Sequence, residues 1–113
     1  MKKIFLFIFL TAFMTSCSKK KISIPGDVLK EKEMTAILTD IHIAQASRYN
    51  TSVVDSAAYT MDDFLFTILK KHQRKREDFL RSLKFYSDNP EILQGVYDSV
   101  ITGLSRMEAG MQR

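Results

Sequence analysis

Residues 61–90 read MDDFLFTILKKHQRKREDFLRSLKFYSDNP, and whether this stretch is one helix or two decides the fold. Met61, Phe64, Leu65, Ile68, Leu69 and His72 recur at the spacing of one helix face, and Phe79, Leu83 and Tyr86 continue it. The two stripes are in phase at 100° per residue, so an unbroken helix from about Ala57 to Tyr86 is an open alternative. It would run roughly 45 Å, too long for a compact domain of this size. The spacing therefore predicts a break near Gln73 to Lys75, with Ser56 or Thr60 capping the first helix and Asp62 and Asp63 in its first turn.

Asp88-Asn89-Pro90 ends the stretch with the clearest stop and start in the chain. Proline cannot continue a helix, disfavours helical geometry at the residue before it, and suits the first position of the next helix. The helix that follows carries Leu93, Val96, Tyr97, Val100, Ile101, Leu104 and Met107, an arc wide enough to face a core. Leu93, Tyr97, Val100, Leu104, Met107 and Met111 also step by four and three as a coiled-coil seam would. Gly95, Gly103 and Gly110 weaken that option by about 1 kcal/mol each, so packing inside the chain's own bundle is expected.

Upstream, Met34, Ile37, Leu38 and Ile41 line one face of a helix from Glu31 to about Arg48, with Lys32, Glu33, Thr39 and Asp40 off the stripe. Tyr49 to Ser56 reads as a loop. No period-2 segment of any length occurs, so the expected fold is all-α, a small bundle of about four helices.

The first residues read differently. Met1-Lys2-Lys3, the 11 apolar or small residues Ile4 to Met14, then Thr15-Ser16-Cys17 follow the order of a secretory signal. As a helix the apolar run would rise about 16 Å, half of what a membrane-spanning helix needs. Cys17, the only cysteine, stands where such signals are cut, and Met14-Thr15-Ser16-Cys17 resembles a relaxed lipobox. The alternative, an ordinary secreted protein, leaves an odd exposed thiol in an oxidising compartment. The expected organisation is a cleaved signal over residues 1–16, a lipidated Cys17 with a tether to Gly26, and a helical domain over residues 27–113. Similarity to other lipoproteins implies an outer-membrane address for a cysteine not followed by Asp. The lysines Lys19 to Lys21, in place of acidic residues, imply that the protein faces the periplasm.

Composition removes several function classes. The formal net charge of +4 belongs to the first 21 residues, because from Asp27 onward 12 Lys and Arg face 13 Asp and Glu. A nucleic-acid partner loses its electrostatic footing. With two histidines and one cysteine already committed, no metal-ligand spacing is present, and no cofactor motif appears. Asp40 and His42, two apart on a helix, point about 160° from one another and share no ligand. His42 flanks the stripe and is expected at the edge of the core with a hydrogen bond, and His72 likewise. An enzyme is not expected.

Two surface features remain as candidate contacts. Lys70, Lys71, Arg74, Lys75 and Arg76, with His72 among them, form the one dense basic cluster; it is either a solvated turn or a site for acidic lipid, lipid-linked phosphate or an acidic partner. Tyr59 and Phe66 share a face of their helix away from its main stripe, and Ile43 lies opposite the stripe of the first helix. They are expected to pack under the loop after Arg48. Exposed together, they would instead form an apolar patch that binds partners.

Several segments in order carry a resemblance: Ile24-Pro25-Gly26-Asp27-Val28-Leu29, the run from Glu33 to Ala46, Leu69-Lys70-Lys71-His72, Glu77-Asp78-Phe79 with Ser82-Leu83, Phe85-Tyr86, Val96-Tyr97-Asp98 and Leu104. Together they resemble a family of small Bacteroidetes lipoproteins called domain of unknown function 4296, over nearly the whole chain after Cys17. The resemblance implies an address and a helical shape but no reaction. Members often have Gly and then a Thr cap between the positions of His72 and Phe79, where this chain has Gln73 and Lys75. The function expected from all this is a membrane-anchored periplasmic lipoprotein acting as an adaptor or accessory of an envelope protein. The rival is a module binding lipid, lipopolysaccharide or a client peptide.

Overall fold

The computed structural model describes residues 1–4, 21–50 and 60–112. From residue 31 on, the described residues form four helices: α1 Glu31–Asn50, α2 Met61–Lys71, α3 Arg76–Asp88 and α4 Pro90–Met111. The all-α bundle expected from the periodicity is what forms.

Helix α1 is the centre of the bundle, packing against both α2 and α4, while α3 packs against α4. Its Met34, Ile37 and Leu38 are buried with Ile68 and Leu69 of α2, Phe79 and Tyr86 of α3, and Val96 and Val100 of α4. Contact on two sides also explains Thr39, which lies off the apolar stripe yet is only 8% exposed. Its hydroxyl donates to the Thr35 carbonyl at 2.7 Å, so the buried oxygen is satisfied within its own helix.

Helix α2 starts on Thr60, not Ser56. The Thr60 hydroxyl accepts from the Asp63 backbone N–H at 3.3 Å and the Asp63 carboxylate accepts from the Thr60 N–H at 2.8 Å, a reciprocal capping box. The Thr60 N–H and the Thr60 hydroxyl, which also donates to the carboxylate at 2.8 Å, hold the Asp63 carboxyl below its ordinary pKa.

The break falls where the size argument places it. His72 ends the helix, Gln73 turns left-handed at φ 55°, and the N–H groups of Gln73 and Arg74 donate to the carbonyls of Lys70 and Leu69 at 3.1 and 2.9 Å. This is a Schellman closure with glutamine at the position that favours glycine. Lys75 then caps α3 with no side-chain bond. Gln73→Gly is expected to stabilise the domain by about 1 kcal/mol, since it relieves the cost of a Cβ in left-handed backbone. A urea midpoint unchanged or lowered in the variant would show that the turn carries no such strain.

Asn89 ends α3 and begins α4, its amide donating to the Phe85 carbonyl at 2.7 Å, with Pro90 at the first helical position. The buried face of α4 is narrower than its apolar arc. Val96 and Val100 are buried and Leu93 and Leu104 partly so; Tyr97 and Ile101 are exposed because α1 and α3 cover only one side, and Met107 and Met111 because the last turns run past the packed body.

The core also recruits a non-helical strap before α1. Val28 and Leu29 are buried, and Ile24, in the stretch read as tether, packs partly buried against the same core. The Leu29 N–H donates to the Ser82 hydroxyl at 2.9 Å and the Leu29 carbonyl accepts from the Tyr86 hydroxyl at 2.8 Å. Ser82, fully buried, donates its own proton to the Asp78 carbonyl at 2.6 Å. Both backbone groups of Leu29 are thus satisfied by α3, which allows an extended residue to be buried without a sheet. The packed body therefore begins by residue 24.

Candidate functional site

The basic cluster lies around the α2–α3 turn, and α1 supplies its counter-charges. Asp40 accepts from Lys71 Nζ at 2.9 Å and lies 2.7 Å from His72 Nε2. Glu33 pairs with Arg74, one helix turn and more toward the start of α1. On α2 itself, Asp62 meets Arg76 at 3.2 Å. Three of the five candidate cations are therefore engaged in clasps that hold the turn against its neighbours. Among the described residues Lys70 and Lys75 have no carboxylate partner.

Asp40 is the hub of this arrangement. Burial alone would raise its carboxyl, but the hydrogen bonds and charges of Lys71 and His72 outweigh that and hold it below its ordinary 3.8. A depressed folded-state pKa contributes stability that is present above about pH 4 and lost as pH falls through the lowered value. Asp40→Asn is expected to cost about 1–2 kcal/mol at neutral pH and to flatten the acid limb of the stability profile. Urea titrations of both proteins between neutral and acid pH check this, and parallel acid limbs would remove Asp40 as their origin.

The partner of Asp40 is not the nearby His42 but His72, 32 residues away and at the end of another helix. His42 does stand half-buried at the core edge, but it meets the Tyr97 ring edge-on, with centroids 6.3 Å apart, in place of the expected hydrogen bond. An Asp–His pair could orient an imidazole for proton transfer, yet among the described residues no hydroxyl or thiol is hydrogen-bonded to His72. Nor do three His, Cys, Asp or Glu side chains gather where a metal could sit, again among the described residues.

Beside the clasps lies a groove of about 470 Å³ between α2 and the start of α3. Leu65, Phe66 and Leu69 make its apolar wall, and Lys70, Arg74, Lys75 and Arg76 its cationic rim, with Glu77 the one acid. Phe66 is 69% exposed, so the expectation that it packs away is not met: its face of α2 has no helix over it. Ile43 is 38% exposed and does not line this groove. Tyr59 and Cys17 lie outside the described residues.

The family described as Domain of unknown function (DUF4296) matches residues 25–109. The chain belongs to the DUF4296 family. No curated protein and no solved structure matches it. The DUF4296 match opens at Pro25, beside the packed Ile24, so the strap through Leu29 is part of the DUF4296 body. None of the described helices in this DUF4296 chain is long and apolar enough to cross a membrane.

Proposed function

We propose that this DUF4296 chain is an envelope lipoprotein, held by acyl chains on Cys17 and facing the periplasm, at the outer membrane in preference to the inner. Its helical body acts without catalysis, as an adaptor or accessory of an envelope protein. The observation that carries the adaptor reading is the apolar surface that α4 leaves uncovered, Ile101 on its flank and Met107 and Met111 on the core-facing stripe where the helix runs past the bundle. Ile101 is 60% exposed, and Met107 and Met111 also stand clear of the core. A domain this small needs its apolar surface buried, and apolar side chains left uncovered on one projecting helix are what a protein partner covers.

Cross-linking in cells, followed by purification of the anchored protein, tests it. One envelope protein is expected in stoichiometric amount, and Ile101→Glu with Met107→Glu should lose it. A second reading rests on a different observation: an apolar cleft of about 280 Å³ bordered by Ile41, Ala44, Met61, Phe64 and Tyr97, open to solvent. A lipid or client peptide held there would appear in the mass spectrum of the purified protein while no partner is recovered.

A further inference from the structure

The α2–α3 turn brings three features together at one groove. Phe66 stands exposed, Lys70 and Lys75 have no carboxylate partner among the described residues, and both lysines rim the groove that Phe66 walls. An exposed ring flanked by lysines matches a bilayer interface, where the ring enters the headgroup region and the ammonium groups meet lipid phosphates.

Position selects a bilayer over an acidic peptide as the occupant. Arg74 walls both this groove and the neighbouring cleft formed by Gly26 to Lys30, so the chain enters the body next to the basic turn. From Cys17 to the packed Ile24 is seven residues, a reach of about 25 Å at full extension. An acyl chain on Cys17 therefore keeps the end of the body where the strap enters within about 25 Å of the membrane. A peptide partner would require no such placement. We propose that the α2–α3 turn is a membrane-contact surface, with Phe66 inserted at the interface of an anionic bilayer and Lys70 and Lys75 on its phosphates. The inference rests on the lipid-anchor reading given above.

The chain has no tryptophan, so Phe66→Trp reports from this one position. The full chain with this substitution, matured and acylated in its host, is reconstituted on vesicles of phosphatidylethanolamine with phosphatidylglycerol, or of phosphatidylcholine alone. On the anionic vesicles the emission should move to the blue and be quenched by brominated acyl chains; on the neutral ones both effects should be much weaker. Lys70→Gln with Lys75→Gln should reduce the docked-to-undocked ratio about thirtyfold, and far-UV circular dichroism checks that the helices persist. If the acylated Phe66→Trp protein keeps the emission of a solvent-exposed indole on anionic vesicles, the inference is overturned and the anchor stands. Intact mass without fatty acid overturns the anchor reading instead, and adding anionic vesicles to that same protein still decides the surface. A shift produced by an acidic leucine-containing peptide but by no vesicle overturns the bilayer in favour of a protein partner.

Discussion

Tyr86→Ala is expected to remove half or more of the domain's stability. The ring is fully buried among all four helices' core residues, and its hydroxyl donates to the Leu29 carbonyl at 2.8 Å. Removing a buried aromatic costs about 3–5 kcal/mol, and the carbonyl left without a donor adds about 1–3 kcal/mol. The 87 residues from Asp27 to Arg113 give a total stability of only about 4–13 kcal/mol at the usual value per residue. Tyr86→Phe separates the two contributions: it keeps the ring and loses the bond, so about 1–2 kcal/mol should go. Burial, with Glu31 and Glu33 adding repulsion, pushes the Tyr86 hydroxyl up to about 12. The raised value means that stability is full below about pH 10, the ordinary tyrosine value, and is lost as pH rises toward 12. Urea unfolding followed by circular dichroism reads all three effects. A Phe variant as stable as the parent would mean that the strap does not depend on this bond.

Cys17→Ser is expected to abolish fatty-acid incorporation and with it anchorage by lipid. Each buried methylene contributes about 0.8 kcal/mol, and one acyl chain holds a protein only marginally, so stable residence needs the two or three chains that bacterial lipoproteins carry. All of them depend on one sulfur, because the chain has one cysteine. No described helix offers a substitute anchor. Labelled palmitate and intact mass measure the outcome directly. Label that persists in the serine variant, or a native product that retains Met1 and carries no acyl group, ends the lipoprotein proposal.

The parts of the fold that were legible in the sequence are those set by local chemistry. The stop at Asn89-Pro90 follows from a missing N–H, and the α2–α3 break follows from the length a single helix would reach. Contacts between helices were not legible, because periodicity fixes which face a residue is on and not which neighbour it meets. Asp40 and His72 each sit on a foreseeable face, but their pairing needs the register of α1 against α2. The same limit explains Phe66 and Ile101, apolar residues that the pattern sets against a neighbour and the bundle leaves uncovered. The strap escaped for another reason: Val28-Leu29 is too short to show a period, and its partners Ser82 and Tyr86 lie more than fifty residues on. The basic run was visible as composition, whereas its division into clasped Lys71, Arg74 and Arg76 and unclasped Lys70 and Lys75 was not.

The strap also has a mechanical meaning. Both Leu29 bonds, and that from Arg81 to the Asp27 carbonyl, run to α3 and not to the helix that follows the strap, so a pull on the chain ahead of it would be spread across the bundle before α1 is peeled from its end. Under the lipid anchor proposed above, Leu29 would be a latch between leash and body, and drag on the body would be shared by the interior as a whole.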